Sequence, residues 1–222
     1  MPPLYKYVTE ERFASALIEQ GQVYMQTLAA FQAYEDNDVR RDRSEGSLHF
    51  QPSEGLKITK EGGEVVVLQP NWRLVSSAAS SDIYAYCLST ERSEALAEQF
   101  NSPFCVEITN PRHLISRIKS RVALRTQLER GQVHHGIVEY RRPDTPPIVK
   151  WALPEQISFL KPEAWRWQRE YRIVVGRRGA FDVENVQVSL QSKEMYQVPD
   201  SIRGPLSLKV GNLSRITSLH RF

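Results

Sequence analysis

The sequence predicts an α+β fold, a mixed and mostly antiparallel sheet with an N-terminal strand–helix–strand unit and one long basic helix. Three observations predict it. Short runs with period-two alternation of apolar residues recur along the whole chain. Helical periodicity is confined to the first half and the middle. Several adjacent strand runs are joined by too few residues for a crossover helix, which favours antiparallel pairing. With 222 residues, 41% hydrophobic and 25% charged, the chain fits a single globular domain over 1–222.

"LYKYV" (4–8) alternates aromatic and apolar residues and reads as a strand. Thr9 is positioned as an N-cap, and Glu10 and Glu11 suit the positive end of a helix. Phe13, Ala14, Leu17 and Ile18 give that helix its apolar face, and Gly21 ends it. "QVYMQ" (22–26) is a second strand, followed by a brief helix over 28–34. The stretch 35–47, "EDNDVRRDRSEGS", lacks apolar period and reads as an exposed charged loop. "LKITKEGGEVVVL" (56–68) is a hairpin, its Gly62-Gly63 turn supplying the positive φ angles. "RLVSSAASSD" reads as a loop of small residues. "IYAYCLST" (83–90) and "FCVEIT" (104–109) read as central strands, with a short helix over 93–100 between them. Asn110-Pro111 opens the longest helix, an N-cap followed by proline in the first turn. Leu114, Ile118 and Val122 are its buried stripe, and it is expected to run to Arg130 and stop at Gly131. "HHGIVEY" (134–140) is a strand, Pro143, Pro146 and Pro147 mark a turn-rich connector, and "REYRIVVG", "VENVQVSL", "LSLKVG" and "ITSLHRF" are C-terminal strands.

The net charge of +3 is too small to name a partner by itself. The first residues lack the basic start and apolar run of a secretory signal, and no apolar stretch approaches the ~20 residues that span a bilayer. No membrane association is therefore expected. Cys87 and Cys105 sit in apolar runs and read as two buried thiols of a cytoplasmic protein, too few for a cysteine-only zinc site. His134 and His135 are adjacent in a strand and point to opposite faces, and His49, His113 and His220 have no ligand spacing, so no metal is expected from them. Nucleophile-elbow, phosphate-loop and dinucleotide-glycine motifs are absent from the sequence.

Three groupings carry chemistry. In "AWRWQREYRIVV" (164–175), Glu170, Arg172 and Val174 share one strand face and Tyr171, Ile173 and Val175 the other. Glu170 either belongs to a solvated polar face paired with Arg172, or is a strand-borne carboxylate in a cleft walled by Trp165 and Trp167. Glu35, Asp36, Asp38, Asp42 and Glu45 are dense enough to hold Mg²⁺ for phosphodiester cleavage, although Arg40, Arg41 and Arg43 interleave and favour a solvated loop. Arg117, Arg121 and Arg125 recur every four residues as one helical ridge, with Arg112, Lys119 and Arg130 nearby. Such a ridge can track a phosphate backbone, or simply face water or pair with acidic loops.

The segments "LYKYVTEERFASALIEQGQVYMQTLAAFQAYED", "RRDRSEG", "IYAYCLST" and "FLKPEAWRWQREYRIVV" together resemble a bacterial family known as domain-of-unknown-function family twenty-nine seventy-one, or a neighbour of it. The likeness is piecewise along most of the chain, and "FQAYE" (31–35) stands where that family has an Asn-Asp-Pro turn. More distantly, "LYKYVT", "VYMQT" and "REYR" resemble the strand motifs of the ADP-ribosyltransferase superfamily. That resemblance implies NAD as substrate, Glu170 as the catalytic carboxylate, and Lys6, Tyr7, Tyr24, Thr27 and Arg172 as NAD-holding residues. Lys6 replaces the usual His or Arg and offers a point charge rather than a planar fork. The chemistry requires a carboxylate beside an oxocarbenium-like centre, an aromatic face for nicotinamide and cations for pyrophosphate. The leading expectation is thus an NAD-dependent transferase or glycohydrolase with an unspecified nucleic-acid or protein acceptor. The alternatives are a non-enzymatic nucleic-acid or protein-binding module using Arg117, Arg121 and Arg125, and a metal-dependent nuclease built on the acidic loop.

Overall fold

The computed structural model describes residues 1–33, 42–195 and 202–222. Its strands are β1 (Leu4–Val8), β2 (Gln22–Thr27), β3 (Ser47–Phe50), β4 (Lys57–Thr59), β5 (Val65–Val67), β6 (Trp72–Ser77), β7 (Ile83–Ser89), β8 (Phe104–Ile108), β9 (Leu128–Ile137), β10 (Glu139–Arg141), β11 (Leu160–Pro162), β12 (Glu170–Arg177), β13 (Gln187–Ser192), β14 (Leu206–Lys209) and β15 (Thr217–Arg221). The α-helices are α1 (Glu11–Gln20), α2 (Leu28–Gln32), α3 (Glu94–Gln99), α4 (Pro111–Ala123) and α5 (Pro154–Ile157). The fold is α+β, and every described pairing is antiparallel except β10 with β11.

The main sheet forks at β7. One edge of β7 pairs with β12 along its whole length, and β12 pairs onward with β9. The other edge is shared: β2 meets Tyr84 and Ala85, while β1 meets Ser89. From the fork, β2 continues to β14, and β1 to β8 and β15. Helix α1 connects the two prongs. It ends at Gly21, whose φ of 61° is the left-handed conformation glycine accepts without penalty. A Cβ there would lie 2.0 Å from the Gly211 carbonyl oxygen, so the position also depends on the absence of a side chain.

The sheet is buried on both faces. Tyr171, Ile173 and Val175 join Leu4, Leu88, Val106 and Ile108 under α1 and α4. Val174 joins Ala85, Trp151, Ile157 and Leu160 on the other side. Ile173, Val174 and Val175 are fully inaccessible, and each such side chain contributes about 1.5–3 kcal/mol. Beside this sheet stand a three-stranded sheet, β13–β6–β3, and the β4–β5 hairpin. The hairpin turn uses Gly62 and Gly63 at φ 104° and 89°, as expected.

Two expectations need correction. The long basic helix stops at Ala123, not Arg130, and spans 13 residues. Leu128 is instead the buried first residue of β9, opposite Arg177. Gly131, at φ 77°, lies inside β9 where the β9–β12 register shifts, so it is a bulge glycine rather than a helix stop. Arg125 therefore lies beyond the helix. The small-residue stretch contains β6, because its serines pack closely: buried Ser76 donates to the Trp151 carbonyl at 2.6 Å.

Candidate functional site

Glu170 lies on neither a solvated face nor the wall of an open cleft. It is 4% exposed and begins the buried strand β12. Arg172 reaches it from the same face, Nε to Oε1 at 2.6 Å and Nη2 to Oε2 at 3.3 Å. The same guanidinium forks onto Glu45, Nη1 to Oε1 at 2.5 Å and Nη2 to Oε2 at 2.8 Å, and donates to the Ser158 carbonyl at 2.7 Å. Lys161 of β11 donates to Glu170 Oε2 at 3.1 Å and to Gln168 at 2.8 Å, and lies 3.5 Å from Glu45 Oε2. Trp165 covers that ammonium, 5.3 Å from its ring centre. Half-buried Cys87, on β7 opposite Arg172, hydrogen-bonds Glu170 through its thiol.

The electrostatics follow from this enclosure. Burial pushes the Glu170 carboxyl up, but the charges of Arg172 and Lys161 outweigh it and hold the group well below the usual carboxylate range. Burial lowers Lys161, and Glu170 and Glu45 more than reverse that. Burial raises the Cys87 thiol to about 12, with Glu170 adding to the shift, so the thiol stays protonated at neutral pH. Asp42 is the third carboxylate of the group, 3% exposed. Its Oδ1 accepts from the Ser44 N–H, while Oδ2 has no partner among the described residues. Burial and then Glu45 push its pKa up to about 6.

Of the acidic loop, Glu35, Asp36 and Asp38 lie outside the described residues. Asp42 and Glu45 are described, and they are buried in the interior rather than solvated, because Arg172 and Lys161 draw them in. Among the described residues, no group of three or more His, Cys, Asp or Glu side chains has metal-binding geometry.

The residues expected to hold NAD are spread over the fork. Lys6 donates to the Cys87 carbonyl at 2.9 Å and lies over the Tyr86 ring. Tyr7 stacks between Phe100 and Phe222, and its hydroxyl accepts from the Ser93 N–H at 2.9 Å. Tyr24 is half-exposed on β2. Thr27 is buried and caps α2, accepting from the Ala30 N–H at 3.0 Å. Lys6 and Glu170 thus both contact Cys87, Arg172 joins Glu170, and Tyr7, Tyr24 and Thr27 are bound up in other contacts or positions. Lys161 and Gln168 were not singled out beforehand. A lone lysine in the apolar run "ISFLKP" was the available signal for the first.

The arginine ridge is only partly a helix face. Arg117 is tied to the chain, donating to the Asn212 carbonyl at 2.6 Å and to that of Val210 at 3.4 Å. Arg121 follows it on α4, and Arg125 lies in the turn after it; both are exposed. Arg112, Lys119 and Arg130 are exposed as well. Arg112, Lys119, Arg121, Arg125 and Arg130 have no carboxylate within 4.0 Å among the described residues, whereas exposed Arg12, Arg142, Arg166 and Arg221 all do. His113, Ser116 and Ser120 lie between the cation rows, on the solvent side of the helix.

No helix among the described residues is long and apolar enough to cross a membrane. No protein-family model, curated protein or solved structure matches the chain.

Proposed function

We propose that the protein is a nucleic-acid-binding module whose contact surface is the cationic face of α4 and the turn that follows it. The observation that carries this reading is the set of five exposed cations with no carboxylate within 4.0 Å among the described residues. Lys57, Arg92, Arg178, Lys193, Lys209 and Arg215 are likewise exposed without a carboxylate within 4.0 Å among the described residues, so what sets this group apart is its concentration within 112–130, where positive potential adds up. Ser116 and His113 between the cations add hydrogen-bond donors of the kind that position phosphates, while the Ser120 hydroxyl donates to the Ser116 carbonyl. Neutralising about four phosphates of a single strand gives a slope of about −3 in log affinity against log salt.

Fluorescence anisotropy of a labelled oligonucleotide between low and moderate salt tests it. The double variant Arg121→Glu/Arg125→Glu is expected to weaken binding at least tenfold and to flatten the salt slope by about 1.4. An affinity and slope unchanged in that variant overturn the reading, as does the absence of binding at low salt.

A second reading, the NAD-consuming transferase, has one observation in its favour: Lys6 and Glu170 both contact Cys87, beside the fork of the sheet. It requires Glu170 to leave Arg172 and Lys161, since both carboxylate oxygens are occupied. Its measurement is nicotinamide release from NAD by the folded protein and by Glu170→Gln.

A further inference from the structure

A cavity of about 240 Å³ opens beside β9, lined by His134, His135, Gly136, Gln156 and Phe159, with Lys150 and Glu139 at its rim. The only partner of β9 among the described strands is β12, so its outer edge borders the cavity with unpaired backbone groups. Gly136 leaves the floor flat: a Cβ there would touch the Phe159 ring at 3.9 Å. Burial lowers the pKa of both histidines, which are therefore neutral at pH 7. His135 uses Nδ1 on the Tyr171 hydroxyl at 2.8 Å, leaving Nε2 for another partner. His134 lies on the opposite face of β9, its Nε2 enclosed and without a partner among the described residues. The Gln156 side chain is half-buried and makes no hydrogen bond among the described residues. Lys150 and Glu139 pair with each other at 2.6 Å.

These groups describe a ligand. An aromatic face and an amide that both donates and accepts fit the flat surface and mixed edge of a nucleobase. The volume is below the ~300–1,000 Å³ of sites for drug-sized ligands and suits a base with part of its sugar. Position adds to this. Helix α4 packs against β9, the strand whose free edge borders the cavity. We propose that this cavity receives one unstacked base of a single-stranded nucleic acid whose phosphates lie along α4. The inference rests on the nucleic-acid reading above and narrows it to single strands.

The test has two arms. In the first, labelled single-stranded homopolymers of the four bases and a duplex of equal length are titrated by anisotropy against wild type, Phe159→Ala and Gln156→Ala. A single-strand preference of at least tenfold with an unequal ranking of bases is expected. Stacking on one aromatic is worth about 1–3 kcal/mol, so Phe159→Ala should lose roughly five- to 150-fold without changing the salt slope. Gln156→Ala, a change at a half-buried side chain without bonds, should level the base ranking while the melting temperature holds. In the second arm, free nucleosides are titrated while the His135 and Phe159 ring signals are followed by NMR. Shifts in those signals, absent in Gln156→Ala, support the pocket even if Arg121→Glu/Arg125→Glu leaves strand binding intact, which would overturn only the helix surface. Equal binding of duplex and single strand, or base ranking and affinity within twofold in both pocket variants, overturns the pocket and leaves the helix surface standing.

Discussion

Replacing Arg172 by methionine tests whether the buried charges around Glu170 act as a unit. Arg172 is 1% exposed and makes five hydrogen bonds, two to Glu170, two to Glu45 and one to the Ser158 carbonyl. Methionine keeps much of the volume and removes the charge. The two carboxylates would then share one cation, Lys161, at 3.1 and 3.5 Å. Breaking a buried pair from one side costs about 3–5 kcal/mol, chiefly because an uncompensated charge stays behind. We expect a loss of about 4 kcal/mol at pH 7.5, a large share of a typical total of ~5–15. The pH dependence separates charge from packing. In the wild type Glu170 is depressed, so its contribution is present above the ordinary carboxylate range and is lost only as pH falls through its folded value. Between pH 7.5 and 5 it does not change. In Arg172→Met the stranded carboxyls are raised, and proton uptake on going to pH 5 relieves them at about 1.4 kcal/mol per pKa unit. The loss should therefore shrink by 1 kcal/mol or more at pH 5. Urea unfolding with linear extrapolation at both pH values measures it. A loss under about 1 kcal/mol at pH 7.5, or one equal at the two pH values, would refute the uncompensated-charge argument.

Asp42→Asn should stabilise the protein at pH 8 and by about half as much at pH 5. The folded pKa of Asp42 is raised from 3.8 to about 6, so its favourable protonation is present below 3.8 and is lost as pH rises from there through 6. Two pKa units correspond to about 3 kcal/mol, and thermal melts of both proteins at the two pH values check the sign. For the transferase reading, NAD incubated with wild type and Glu170→Gln gives a direct outcome. With both Glu170 oxygens occupied, we expect no nicotinamide release and no rise in melting temperature with NAD. Release that disappears in Glu170→Gln would instead establish the transferase reading over the nucleic-acid one.

Much of the strand pattern was legible because period-two alternation survives wherever one face of a strand meets a core. Tyr171, Ile173 and Val175 do face the α1–α4 side, with Val174 opposite. What alternation cannot reveal is whether the polar face meets water. "REYR" reads the same with Arg172 in solvent or with Glu45 brought 127 positions along the chain to meet it. The loop of Asp42 and Glu45 was misread for the same reason: interleaved charges look solvated unless the distant cations are known. Helix α4 was placed correctly at its start, where Asn110 and Pro111 signal locally, and the Asn110 side chain does accept from the His113 N–H at 3.1 Å. Its end was misplaced because Leu124, Arg125 and Gln127 are good helix formers. What stops the helix is tertiary, the pairing of Leu128 with Arg177. The β9 pocket had no signal in the sequence, since its walls come from residues 134–139 and 150–160.

The charge network and the pocket are joined through the backbone, which gives the buried charges a role beyond stability. Arg172 holds the carbonyl of Ser158, and Glu170 holds the ammonium of Lys161. Between those two anchors lie only Phe159 and Leu160, two walls of the pocket. The Phe159 carbonyl also accepts from the Glu139 N–H at 2.9 Å, and the Tyr140 hydroxyl accepts from the Glu170 N–H at 2.9 Å, so the opposite rim is fixed to the same strand. Apolar residues of similar volume could replace a closed ion-pair group with little loss of stability. They could not hold a carbonyl on one side of an aromatic and an ammonium on the other. On this argument the network fixes the Phe159 ring over Gly136. Arg172→Met should then weaken single-strand binding at pH 5, where its fold is least impaired, while leaving the salt slope set by α4 unchanged.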